Sequence, residues 1–447
     1  MFAAQHMTSD QTPEISLLQQ YRQLPATVHL LCVGSFINRV GSFVMLFLSI
    51  YISEELQLGA DFASYCIGAF GCGSVISALI GGQLADQFGR RRTMLLALFG
   101  GPATLLVLSQ VRTGWLFMLV LFLFAMIVDM YRPASAALIG DAVSDAQRPH
   151  AFGLLYLSFN LGFAVAPPLG GYLAGKSFQY LFWADAATTA MYGVVVLLTI
   201  REIRSFPAHA TDSRQAALAG ETPVSAADAA ASATITTAEV TPLIPAKPRS
   251  AIAALQHLLQ DHNFLLFMTC SLLTNIVFMQ SFVTLPLYLY RLGFNELEFG
   301  RMICLNGALI VLLQLPATHL LSRFPRGKVL ICGELLMAAG FSLTAFATTA
   351  PAILLTITLW TLGEILQAPW KPTLVSEMAP LDLRARYMGL FSITHALSIA
   401  LGAPIGGYVL SHFGATVLWP CAGLVLALTS LLYALLFRRL AQQTAVR

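Results

Sequence analysis

Twelve runs of this 447-residue chain are long and apolar enough to cross a lipid bilayer, and no other feature restricts the fold as much. A spanning helix needs about 20 mainly apolar residues. The runs fall at roughly 27–53, 61–85, 93–111, 114–140, 150–174, 178–200, 263–290, 297–321, 327–346, 350–377, 384–409 and 414–437. Strands of a membrane barrel would be about 10 residues long with alternating polarity, whereas the run 116–128 is apolar on every face. A soluble domain carries about 25% charged residues. This chain carries 11%, too few to cover a globule of its size. The sequence specifies an all-α integral membrane protein of twelve transmembrane helices.

Residues 202–250 interrupt this pattern with Ala, Thr, Ser and Pro, and read as a flexible linker. The following stretch, 251–261, is either a short amphipathic helix with Ser250 as its N-cap or the fraying start of the seventh span. The expected division is an N-terminal six-helix half at 1–201, a linker region at 202–262 and a C-terminal half at 263–447. The halves match at a fixed offset of 236 residues. Leu84, Phe88 and Arg90 recur as Leu320, Phe324 and Arg326; Asp141, Arg148 and Gly153 recur as Glu377, Arg384 and Gly389. Pro168, Gly170, Gly171 and Tyr172 recur as Pro404, Gly406, Gly407 and Tyr408. Two parallel six-helix repeats are the architecture of major facilitator transporters, which the chain resembles outside its linker and tails.

Most of the 25 Lys and Arg fall in loops and tails on one side of the bundle; Arg112, Lys176 and Arg291 lie in loops on the other. The positive-inside rule then puts both termini in the cytoplasm, and a bacterial inner (plasma) membrane is the expected location. The first 25 residues lack the basic-then-apolar order of a signal peptide, so insertion is expected to use the first span. A net charge of +3 with no basic run argues against a nucleic-acid partner. The seven cysteines fall in apolar stretches without ligand spacing, and read as small buried hydrophobes rather than disulfides or metal ligands. No cofactor is expected.

The loop after the second span runs from Gly82 through Leu84, Asp86 and Gly89 to Arg90, Arg91 and Arg92. It resembles the major facilitator signature G-x-L-a-D-r-x-G-r-r-r. Glycines there allow a tight turn, and Asp86 can pair with an arginine as a charged latch weak enough to break in a transport cycle. Asp141 resembles an acidic position in drug exporters, which implies that Asp141 and Asp86 share the loop arginines, with Glu377 doing the same beside Arg323 or Arg326. The fifth span carries Gly153, Gly162, Ala166, Pro167, Pro168, Gly170 and Gly171. This is similar to the antiporter motif of the family, with Ala166 in place of one glycine; small residues there bring helix backbones together. The stretch from Gly170 to Ser177 also fits the P-loop expression G-x4-G-K-[ST]. A phosphate-binding loop needs a strand before it, and here it ends a transmembrane helix.

Charges at mid-bilayer cost about 2.5–3.5 kcal/mol on insertion scales and are usually functional. Asn38 and Arg39 fall mid-way along the first span, Asp129 and Arg132 on one face of the fourth, and Glu364, Gln367 and Lys371 on one face of the tenth. The resemblance implies that these spans line a central cavity. Glu364 and Asp129 are the candidate proton-coupling carboxylates, although Asp129–Arg132 could equally be a static pair. Tyr131, Trp370, Phe43 and Phe282 are candidate aromatic walls. His395 is a candidate proton carrier or a hydrogen-bonded packing residue, and Asp185 and Glu334 are expected to snorkel to the interfaces.

The chain thus resembles the drug:proton antiporters of the major facilitator superfamily. The implied function is export of small amphipathic molecules in exchange for protons, by a monomer whose partners are substrate, protons and bilayer. The alternative is a proton-coupled symporter of peptides or other zwitterions, though of the E-x-x-E-R motif only Arg39 is kept. The sequence holds no GxSxG, HExxH or metal constellation, which argues against an enzyme.

Overall fold

A computed structural model of the chain describes residues 21–144, 147–200, 257–380 and 383–445, with the side chains of Asp86, Pro149, Arg384, Ala385 and residues 443–445 left undescribed. The expected linker, Ser250 and the first part of the amphipathic stretch lie outside the described residues. Twelve described helices are long and apolar enough to cross a membrane. They are α1 (Ala26–Glu55), α2 (Gly59–Ala85), α3 (Arg90–Leu108), α4 (Gly114–Ala142), α5 (His150–Ala174), α6 (Phe178–Thr199), α7 (His262–Arg291), α8 (Glu296–Leu321), α9 (Arg326–Thr344), α10 (Ala350–Met378), α11 (Arg386–Phe413) and α12 (Ala415–Gln442). Hydrocarbon offers no hydrogen bonds, so a helix, which satisfies its own backbone, is what such runs must form. Large apolar side chains such as Leu198, Leu312, Phe346 and Leu424 stand on the outside, where lipid is their solvent.

Four helices are broken near mid-membrane. The α1 helix is interrupted between Val40 and Val44, and α7 between Phe278 and Gln280. The same happens in α4 between Val128 and Tyr131, and in α10 between Gln367 and Trp370. The residues at the interruptions in α4, α7 and α10 keep right-handed helical dihedrals, whereas the one in α1 leaves the Val44 N–H to a side-chain acceptor. The turn between α2 and α3 is made by Gly89 at φ +94°, a conformation open to glycine and costly for other residues.

The 236-residue offset reappears in space. Gly71 of α2 lies against the backbone of Ala400 in α11, and its repeat mate Gly307 of α8 lies against Ala164 of α5, the mate of Ala400. Gly407 lies against the Ser64 side chain, with the Ala60 carbonyl farther off, while its mate Gly171 lies against the backbone of Glu296 and Leu297. Two seams, α2 on α11 and α5 on α8, therefore join the halves at repeat-related glycines. Cys304 adds a thiol hydrogen bond to the Ala164 carbonyl at 3.1 Å. Phe47 and Phe299 meet edge to face at 5.4 Å across the halves.

All these contacts lie in the half of the bundle away from the α2–α3 and α8–α9 loops. Toward those loops the helices splay: Gly82, Gly140 and Gly389 have open space beside them. A cavity of about 690 Å³ runs there between Ser74, Leu79, Arg132, Ala136, Gly389 and Ser392. The structure is open at the end that carries the basic loops and closed at the other.

Leucine at Gly71 and Gly307 would overpack both seams at a cost of about 1–3 kcal/mol, which shifts a two-state balance roughly 5- to 150-fold. In a cysteine-free background carrying Phe282→Cys, these substitutions should let an impermeant thiol reagent reach the cavity from the Arg112 and Lys176 side. Unchanged labelling would refute the seam as the closed gate.

Candidate functional site: the cavity between the halves

The first wall is built by the broken helices α1 and α4 with α6. Asn38 sits at the end of the first piece of α1 and donates from Nδ2 to Thr189 Oγ1 at 2.8 Å. The freed backbone of the second piece is held by Asp185, whose Oδ2 accepts the Val44 N–H at 3.3 Å, while Thr189 donates to Oδ1 at 3.5 Å. Asp185 is 8% exposed and does not snorkel. The helix break gives it a buried donor, so its place is inside.

Arg39 extends beside this cap with its guanidinium 5.1 Å from the Phe159 ring centroid. Gly162 lies against its stem, leaving the room the side chain needs. At the break in α4, Asp129 pairs with Arg132 at 3.4 Å and accepts from Ser74 Oγ at 2.5 Å. These residues and Tyr131 enclose a cavity of about 330 Å³, walled by Phe70, Phe124, Phe163, Phe278 and Phe282.

The second wall belongs to α10. Glu364, just before the break, accepts from Asn306 Nδ2 at 2.9 Å, and Asn306 also reaches Thr361 at 3.1 Å. Among the described residues no cation lies within salt-bridge reach of Glu364. Lys371, just after the break, turns to Glu334 of α9 at 3.5 Å. Glu334 is fully buried and accepts from Thr274 at 2.6 Å. The expectation that it snorkels is wrong, because an ammonium and a hydroxyl are supplied to it inside. Glu364, Gln367 and Lys371 border a second cavity of about 380 Å³ with Tyr156, Thr274 and Asn275. His395 of α11 is exposed where the cavities meet, not hidden in packing.

Two expected aromatic walls lie elsewhere. Trp370 packs under the Arg326 guanidinium at 5.6 Å, in a core cluster with Leu374 and Val375. Phe43, 2% exposed, fills the break in α1 and packs against Gly170.

At the open end, Arg90 forms an ion pair with Asp141 and donates to the Ala137 carbonyl at 2.8 Å. Arg326 pairs with Glu377 in the same way. The two pairs are repeat mates, each tying a loop to the end of α4 or α10 within one half. The Asp86 side chain lies outside the described residues.

Along α5 the motif residues divide. Pro167 and Gly171 touch α8 through backbone, Gly162 and Gly170 receive side chains of α1, and Gly153 faces the Tyr21 hydroxyl. The P-loop look-alike is a helix end followed by an N-cap: Ser177 accepts from the Gln179 N–H at 3.3 Å, and Lys176 lies over Tyr172 at 4.5 Å. The residues from Gly170 to Ala174 keep their N–H groups inside α5, so no phosphate cradle exists.

Sequence reasoning passed over Ser74 and Asn306 as site residues and kept Glu334 only as a lesser candidate. Glu334 could have been found as a lone carboxylate eight residues inside an otherwise apolar span. Ser74 and Asn306 give no such signal, because hydroxyls and amides are common in transmembrane helices. Among the described residues, no cluster of three or more His, Cys, Asp or Glu could hold a metal ion.

A family model described as Major Facilitator Superfamily matches residues 31–310 and 292–446. The uncharacterised MFS-type transporter YqjV of Bacillus subtilis is 24% identical over 387 residues, 86% of each chain. A Na(+), Li(+), K(+)/H(+) antiporter of Planococcus maritimus is 25% identical over 399 residues, 85% of this chain and 88% of the relative. The multidrug resistance protein MdtH of Aeromonas hydrophila is 24% identical over 381 residues, 85% of each. Among solved structures, a POT family transporter in complex with 5-aminolevulinic acid superposes with a TM-score of 0.71 at 16% identity, covering 93% of this chain and 99% of the other.

Removing the carboxylate in Asp185→Ala leaves the second piece of α1 without its cap, which costs about 0.5–2 kcal/mol. Thermal unfolding in detergent should show a lower midpoint for Asp185→Ala than for Asp185→Asn, which keeps an acceptor oxygen. Equal midpoints for the two variants would remove the capping role.

Proposed function

The chain belongs to the Major Facilitator Superfamily, and from that premise we propose that it exports small amphipathic organic molecules in exchange for protons by alternating access. That it is a multi-pass membrane transporter rather than an enzyme follows from the family. The exchange is our reading, and one observation carries it. Glu364 stands in the wall between the halves with a neutral amide as its partner, at a break in the helix that bears it. A carboxylate so placed can be neutralised either by a proton or by a basic group of the substrate, and each weakens the binding of the other.

Asp129 is the second proton-coupling candidate, with its charge already shared between Arg132 and Ser74. Asn38, Arg39, Tyr131, Arg132, Gln367, Lys371 and the phenylalanine wall form the substrate cavity. The pairs Arg90–Asp141 and Arg326–Glu377 act as latches that rearrange when the open end closes, with Asp86 and Gly89 in the same loop. The motif from Gly153 to Gly171 supports antiport, and so do relatives named as antiporter and multidrug resistance protein. In this reading the basic loops face the cytoplasm, so the described conformation opens inward. The division at 1–201, 202–262 and 263–447, a monomeric state and a plasma-membrane location belong to the same proposal.

Symport of a zwitterion is a second reading, favoured by Arg39 and Glu364 on opposite walls of connected cavities. The likeness to peptide-transporter structures supports only the fold, since identity is 15–18%. Direction separates the two. In vesicles with an imposed pH gradient, antiport accumulates substrate on the acidic side and symport on the alkaline side. A protonophore should abolish accumulation, and Glu364→Gln should lower it by about tenfold or more, the scale of a 1.4 kcal/mol coupling loss. Undiminished gradient-driven transport by Glu364→Gln would overturn the role given to this residue.

A further inference from the structure

Charge is balanced on the first wall and unbalanced on the second. Around α1, α4 and α6, Arg39 and Arg132 stand against Asp129 and Asp185. Around α10, one ammonium, Lys371, serves two carboxylates, Glu334 and Glu364. The second group therefore carries one net negative charge when all three are ionised. The other titratable groups beside Glu334 are Cys270 of α7 and Tyr433 of α12. His395 faces the same cavity from α11.

The geometry gives the three charges a way to exchange partners. Glu334 holds Lys371 and Thr274 with Oε1, while Oε2 is buried and unpartnered among the described residues. Glu364 and Lys371 lie on the same face of α10, seven residues apart on either side of the break at Ala368 and Pro369. On a straight helix that separation is about 10 Å, a gap two long side chains can span, and both line one cavity. A proton added at Oε2 turns Glu334 neutral and ends its hold on Lys371. The freed ammonium has one other carboxylate on its face of the helix, Glu364.

We propose that Glu334 takes up the exchanged proton and thereby transfers Lys371 to Glu364, so that the group is neutralised by either one proton or one substrate cation, never both. This rests on the antiport reading, moves the proton from Glu364 to Glu334 so that Glu364 is neutralised through Lys371, and adds a substrate class: amphipathic organic monocations, with the positive group at Glu364 and the apolar body against Phe278. The step balances. One proton enters Glu334, Lys371 stays protonated throughout, and one monocation leaves Glu364. Exchange at this ratio moves no net charge, so it responds to a pH gradient and not to membrane potential.

Tetraphenylphosphonium, ethidium and rhodamine 6G serve as probes of purified protein and of vesicles. In weakly buffered detergent, the natural protein should release about one proton per cation bound, at a pH where Glu334 is protonated before binding. Glu334→Gln, a fixed mimic of the protonated state, should bind the cations about tenfold more weakly. The double variant Glu334→Gln/Lys371→Met leaves Glu364 permanently free. It should bind cations without proton release and keep cation-for-cation exchange, yet lose uptake driven by a pH gradient. If the pair were only structural, the double variant would recover gradient-driven uptake, and that result overturns the proposal. Natural-strength binding by Glu334→Gln, or no binding of any probe to the natural protein, also overturns it. Failure of antiport itself would read differently: the natural protein would then show no pH-driven exchange of any substrate.

Discussion

Lipid cannot solvate a charge or a bare peptide group, and the rest of this structure follows from how the chain answers that. Backbone is satisfied by making twelve helices. Where α1 is interrupted, the freed Val44 N–H is turned inward to Asp185, which caps the second piece. Charges are kept where another side chain can meet them: Asp129 with Arg132 and Ser74, Glu334 with Lys371 and Thr274. Association of the halves gains nothing from hydrophobic burial, since lipid is as apolar as leucine. It depends on glycines that bring backbones into contact along the two seams.

The repeat separates packing from chemistry. Gly71 and Gly307 are mates and do the same job, as do Gly171 and Gly407, and Arg90–Asp141 with Arg326–Glu377. The intramembrane charges have no such mates. Asp129 corresponds to Ile365, Glu364 to Val128, Glu334 to Leu98 and Lys371 to Ser135. The two halves are alike where they touch and unlike where they face the cavity.

That division also explains what the sequence revealed. Spans and repeat were legible because hydropathy and a fixed offset are properties of many residues at once. The ion pairs of the open end were legible through the resemblance of Asp141 to an acidic exporter position and the offset that makes Glu377 its mate. Where Arg39, Asp129, Glu364 and Lys371 stand was legible because few charges lie in the spans. Partners were not. Whether Lys371 turns to Glu364 or to Glu334 depends on the side chains that α7 and α9 bring to it, and helical periodicity within α10 does not predict those. Trp370 and Phe43 pack into the core and not the cavity, against expectation. Glu334 was misjudged because its acid was weighed by depth in the membrane, without the neighbours that α7 and α10 bring to it.

The duplicated seam has a consequence for how such a protein can diversify. Because the joints are fixed by glycine and proline and the cavity wall by unrelated residues, drift in the wall leaves the joints untouched. New cargo can be tried by substitution in one half while the other preserves the rocking motion. The fold then works as a chassis, and its inherited halves are free to specialise separately.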